Sequence, residues 1–161
     1  MPTPTYTPIA TTTLGSGASS VTFSSISGSY TDIVLIVNAS LASGAASTLM
    51  RYNSDSGTNY SGTRLIGNGS TASSERTTNS NQNDIGYFNT SMCTSVVSIQ
   101  NYSNSTTYKT CLVRANTSEY VFGQVQMWRN TAAVTSINIT NSSAVNFNAG
   151  STFTLYGVKS A

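Results

Sequence analysis

Short runs rich in Val, Ile, Thr, Tyr and Phe recur along this chain, each ended by a cluster of Gly, Asn, Ser or Asp, and no apolar pattern keeps a helical period for a useful length. β-Branched and aromatic side chains suit a pleated, half-buried surface. Such runs, punctuated by turn clusters, predict an all-β domain. They cover residues 20–26, 31–39, 48–53, 63–67, 84–89, 94–102, 108–116, 119–129, 134–140 and 152–159. Residues 31–39 (TDIVLIVNA) are apolar on both faces through their middle, which predicts a central, covered strand. Residues 68–83 hold no apolar side chain except Ala72 and read as a surface loop. The spacing fits a single β-sandwich of the jelly-roll type. An immunoglobulin-type sandwich fits less well, because Trp128 follows both cysteines. At 161 residues the chain suits one domain.

The first 16 residues read as an extended N-terminal arm, with the sandwich domain spanning 17–161. Pro2, Pro4 and Pro8 push their neighbours into extended geometry and remove three backbone donors. A regular inner strand is therefore excluded there. Tyr6, Ile9 and Leu14 are apolar enough to need a surface. Tyr6, Pro8, Ile9 and Leu14 are the predicted partner-binding residues of the arm, and deletion of residues 2–13 is expected to spare the fold and abolish assembly; the alternative is an arm packed on its own sandwich. Trp128 and Arg129, at the end of a strand, are a second candidate contact. Core or interface packing is the alternative for that pair.

Charged residues make up only 7% of the chain, while Ser, Thr and Asn fill 69 of its 161 positions. Disorder does not follow, because disordered chains lack the β-branched and aromatic residues that are plentiful here. The net charge of +2 is scattered, with no basic run, so no nucleic-acid partner is expected. No apolar stretch approaches the length of a membrane-spanning helix, and the first 14 residues lack the features of a signal peptide. The chain has no histidine, which removes the commonest general base and metal ligand. Asp32, Asp55, Glu75, Asp84 and Glu119 each sit singly beside a turn or strand end, which predicts a non-enzymatic protein. Asn53, Asp55, Gly57 and Asn59 alternate as in a cation loop, but local turn hydrogen bonds account for those residue types. No metal or cofactor is expected. Cys93 and Cys111 are read as free, buried thiols: a hairpin centred on Ser105 sets Cys111 opposite Ile99, too far from Cys93 to bridge.

Four stretches carry a family resemblance: residues 6–14 (YTPIATTTL) with 25–35 (SISGSYTDIVL), 51–65 (RYNSDSGTNYSGTRL), 128–139 (WRNTAAVTSINI) and 149–159 (AGSTFTLYGVK). In these the chain resembles small structural proteins of tailed bacteriophages, especially phages of cyanobacteria and other aquatic bacteria. The resemblance implies a virion component, made in the host cytoplasm and commonly a jelly roll that assembles as a homotrimer. Together with the small domain and the arm, it leads to the expectation of a capsid decoration (cement) protein. Its partners would be other virion proteins, above all the major capsid protein. The alternative is a tail or fibre receptor-binding module whose loops 54–62 and 68–83 recognise cell-surface glycan.

Overall fold

A computed structural model describes residues 5–159. They form twelve β-strands and no helix: β1 (Tyr6–Thr13), β2 (Val21–Phe23), β3 (Asp32–Ala39), β4 (Ala46–Tyr52), β5 (Tyr60–Gly67), β6 (Ala72–Ser80), β7 (Asn83–Phe88), β8 (Cys93–Ile99), β9 (Lys109–Asn116), β10 (Val121–Trp128), β11 (Ile137–Asn141) and β12 (Thr152–Val158). An eight-stranded sheet runs β1-β12-β3-β8-β9-β10-β5-β6, and a four-stranded sheet runs β2-β11-β4-β7. All pairs are antiparallel. The fold is a β-sandwich, and its core draws on both sheets, from Ile33, Leu35 and Val37 to Met50, Tyr52, Ile137 and Ile139.

β3 lies between β12 and β8, as the apolar run at 31–39 predicts. The hairpin of β8 and β9 pairs Ile99 with Cys111, and both cysteines are free and buried. Burial pushes the Cys111 thiol up to about 12.

Two sequence expectations need correction. Residues 72–80 form β6, the outermost strand beside β5, where a loop was expected. The turn between them is tightened by Asn68, whose Oδ1 accepts hydrogen bonds from the backbone N–H groups of Ser70 and Thr71. β6 is exposed along nearly its whole length, so no apolar periodicity marks it. The second correction concerns the arm. Tyr6–Thr13 is β1, an edge strand hydrogen-bonded to β12 of the same chain. Pro8 is tolerated because it stands at the edge, beside a bulge between Pro8 and Ala10. Leu14 continues the contact, donating its N–H to Ser151 and accepting from Gly150. The domain thus includes residues 6–14, and residues 1–4 of the expected arm lie outside the described residues.

Two glycines make a matched stability test. Tyr30 lies so close over Gly157 that a methyl group there would overlap its ring. Gly123 faces open space in an exposed part of β10. Gly157→Ala is expected to cost about 1–3 kcal/mol through overpacking. Gly123→Ala should be neutral or stabilising by up to about 1 kcal/mol, since glycine weakens a strand interior. Urea midpoints read the difference, and an unchanged midpoint in Gly157→Ala would mean that Tyr30 is free to move away.

Candidate interaction surface

β10 inverts the usual hydrophobic pattern. Its sequence, VFGQVQMW, offers one face of Val121, Gly123, Val125 and Met127 and another of Phe122, Gln124, Gln126 and Trp128. The face with two glutamines is the buried one: Gln124 and Gln126 are inside, while Val121 and Val125 are 64% and 54% exposed. The aromatic residues set this register. Trp128 is buried among Tyr52 and Tyr60, with ring centroids 5.4 and 6.3 Å away, and its Nε1 donates to Asp55 Oδ2 at 2.7 Å. Gln126 donates to Gln124 at 2.9 Å and lies over Gly62, where any side chain would collide with it. A shift of one residue would expose Trp128 and Phe122. The valines face outward as the counterpart of that choice.

Neighbouring strands extend the outward apolar surface. One cross-strand row runs Thr63, Val125, Leu112, Ser98, Val34, Tyr156 and Pro8. The next runs Leu65, Gly123, Arg114, Val96, Ile36, Thr154 and Thr11. β6 continues these rows with Arg76 beside Thr63 and Ser74 beside Leu65, so Arg114 and Arg76 are the charged residues in them. Leu65 is 63% exposed and Leu112 45%. Two shallow depressions mark this face, one of about 280 Å³ beside Val125, Met127 and Arg76, the other of about 380 Å³ beside Val96, Arg114 and Val121.

The predicted contact residues divide around this surface. Tyr6 is exposed, edge-on to Tyr156 with centroids 6.5 Å apart, and Pro8 is exposed beside it. Ile9 and Leu14 pack against the core instead. Trp128 is buried, which removes it as a contact. Arg129 is held at home, its Nη2 donating to the Thr58 carbonyl at 2.7 Å and to Asn79 Oδ1 at 2.9 Å. The stretches 54–62 and 68–83, expected as ligand loops, are a self-bonded turn leading into β5 and a tight turn leading into β6. Leu65, Leu112, Val121 and Val125 were not singled out from sequence. Their signal is the apolar half of β10 set against its two glutamines.

In the turn at 53–59 the oxygens diverge. Asn53 Oδ1 accepts from the N–H groups of Thr135 and Ser136, whereas Asp55 accepts from Gly57 N, Asn59 Nδ2 and Trp128 Nε1. Among the described residues no three His, Cys, Asp or Glu side chains gather to hold a metal. Burial pushes the Asp55 carboxyl up, but donations from Asn59, Trp128, Gly57 and Asn130 outweigh it and hold the group below its ordinary value. A depressed carboxyl adds stability above the unfolded value near pH ~4, and that contribution disappears as pH falls through the folded value. Asp84 runs the other way. Burial holds it above its ordinary value despite Gly86 N, Arg64, Ser47 and Gln124, so its contribution fades as pH rises through the folded value. Asp55→Asn should therefore weaken the protein at pH 5 more than at pH 2.5, as read by urea midpoints. Equal losses at both values would mean that the Asp55 charge is irrelevant.

Comparisons with protein-family models, with curated proteins and with solved structures find no match.

Proposed function

We propose that this chain is a non-enzymatic structural protein of a bacteriophage virion, a capsid decoration protein that seats on the major capsid protein as a homotrimer. The observation that carries the reading is the outward apolar surface around Leu65, Leu112, Val121 and Val125. Contiguous exposed apolar patches on a soluble protein mark interaction sites. Here the patch exists although two glutamines were available to face solvent. The strand order supports the jelly-roll part of the reading. Strands β2-β11-β4-β7 oppose β3-β8…β5-β6, with the β9–β10 hairpin inserted between β8 and β5 and with β12 and β1 appended beside β3. Viral capsid and lectin domains use such double sheets. A decoration protein stabilises a shell by binding its assembled state, and a trimer suits three-fold positions.

The test is copy number. Densitometry of particles of the phage encoding this chain should give hundreds of copies, and about a dozen would point to the tail instead. Substitution tests the surface itself. Leu112→Lys with Val125→Glu, which sets opposite charges on directly paired residues, should keep the monomer's stability within about 1 kcal/mol, as exposed positions allow, and abolish particle binding in a pull-down. Normal binding by this variant would remove the face from the contact.

A further inference from the structure

A second feature lies on the opposite side of the large sheet, toward its β6 edge. β7 is the edge of the four-stranded sheet and packs across to β9, β10 and β5. Beyond it, the β5–β6 hairpin is left uncovered, with β6 exposed. Between them lies an open, shallow cleft of about 250 Å³ lined by Arg64, Ile66, Tyr87, Tyr120 and Phe122. Phe122 is buried, whereas Tyr87 and Tyr120 are 37% and 36% exposed. Tyr120 and Phe122 lie 6.2 Å apart with ring planes inclined by 34°. Arg64 bridges two carboxylates: Nη1 donates to Asp84 Oδ2 at 3.0 Å, and Nε to Glu75 Oε2 at 2.9 Å.

We propose that this cleft binds a neutral saccharide, taking one pyranose ring against Tyr87 and Tyr120. Three features select this chemistry. The negative face of an aromatic ring attracts the weakly positive C–H face of a pyranose, and the tyrosine hydroxyls add polar contacts at the rim. Arg64, the one charged residue of the lining, is already matched by Glu75 and Asp84, so it offers no free cation to an anionic ligand. Arg64 is also held in place, because the Asp84 carboxylate that it donates to is itself fixed by Gly86 N at 2.9 Å and Ser47 Oγ at 2.9 Å, so this wall of the cleft needs little ordering on binding. Catalysis is not part of the proposal, because both carboxylates engage the same guanidinium rather than a substrate from opposite sides. The inference is independent of the capsid reading.

Titration of the purified protein with the methyl glycosides of glucose, galactose, mannose and N-acetylglucosamine, followed by saturation-transfer NMR, tests it. At least one sugar should bind saturably with Kd of roughly 1–10 mM, the range open to a single-ring ligand. Tyr87→Ala and Tyr120→Ala should each weaken that binding tenfold or more with unchanged circular dichroism and melting. Tyr87→Phe and Tyr120→Phe, which keep the rings, should stay within threefold. The absence of saturable binding by all four sugars overturns the proposal, and so does binding that survives both alanine variants.

Discussion

Trp128→Ala should lower stability by about 3–5 kcal/mol, the usual cost of emptying a large buried aromatic site. Small domains have only about 5–15 kcal/mol in total, so the variant should melt about 6–20 °C lower, at roughly 2–4 °C per kcal/mol for a domain of this size. The site cannot collapse easily. Tyr52 and Tyr60 are fully buried around it, and Tyr60 is fixed by its hydroxyl, which accepts from Tyr52 N and donates to the Asp55 carbonyl, each at 3.1 Å. Losing the indole also takes a donor from Asp55, the group that closes the turn at 53–59. Trp128→Phe separates the two effects: it keeps most of the ring volume and removes the Nε1 donor. Its cost should be about 1–3 kcal/mol, the range for a hydrogen bond to a charged group. In the Asp55→Asn background that cost should shrink, giving a coupling energy in a double-mutant cycle. Urea unfolding followed by circular dichroism checks Trp128→Ala and the three variants of the cycle, Trp128→Phe, Asp55→Asn and their combination. A loss below about 1 kcal/mol in Trp128→Ala would mean that the aromatic cluster does not hold β10 in register.

Where apolar residues alternate against polar ones, or run continuously, the strand and its place were legible: β3 as a central strand, and the hairpin that sets Ile99 opposite Cys111. β6 was not, because a strand lacking a covered face has no apolar residues to reveal it. The available signal was Asn68-Gly69 directly after a strand, a pair that favours tight hairpin turns. The interaction surface was hidden for a related reason. Both faces of β10 carry large apolar side chains, and periodicity cannot tell which pair is inside when Phe122 and Trp128 outweigh two valines and a methionine. The saccharide cleft was out of reach, since Arg64, Tyr87 and Phe122 come from three strands that only the sandwich brings together.

Deletion of residues 2–13 now carries a different expectation from the one that prolines alone suggest. β1 pairs along β12 from Tyr6↔Val158 to Thr13↔Thr152, and Ile9 and Ala10 pack against the core. Losing those half-buried side chains costs about 2 kcal/mol. The lost backbone hydrogen bonds are partly offset by the chain entropy released. A net loss of about 2–4 kcal/mol and a melting point lower by roughly 5–15 °C follow, with β-sheet circular dichroism retained. The larger effect is on association. Without β1, β12 becomes the sheet edge, and its sequence TFTLYGV has no charge and no proline. Such an edge is a template for pairing with another chain. In the intact protein the outermost strand carries Pro8, which lacks an N–H, and a bulge beside it, both of which spoil edge-to-edge pairing. The truncated protein should therefore form concentration-dependent aggregates by light scattering where the intact protein does not. Restoring the strand with Pro8→Val should recover most of the melting temperature but not the resistance to association, because it returns the missing donor to the edge. If the truncated domain instead melts within 2 °C of the intact one and does not aggregate, β1 is dispensable to the fold, and its residues are free to serve assembly alone.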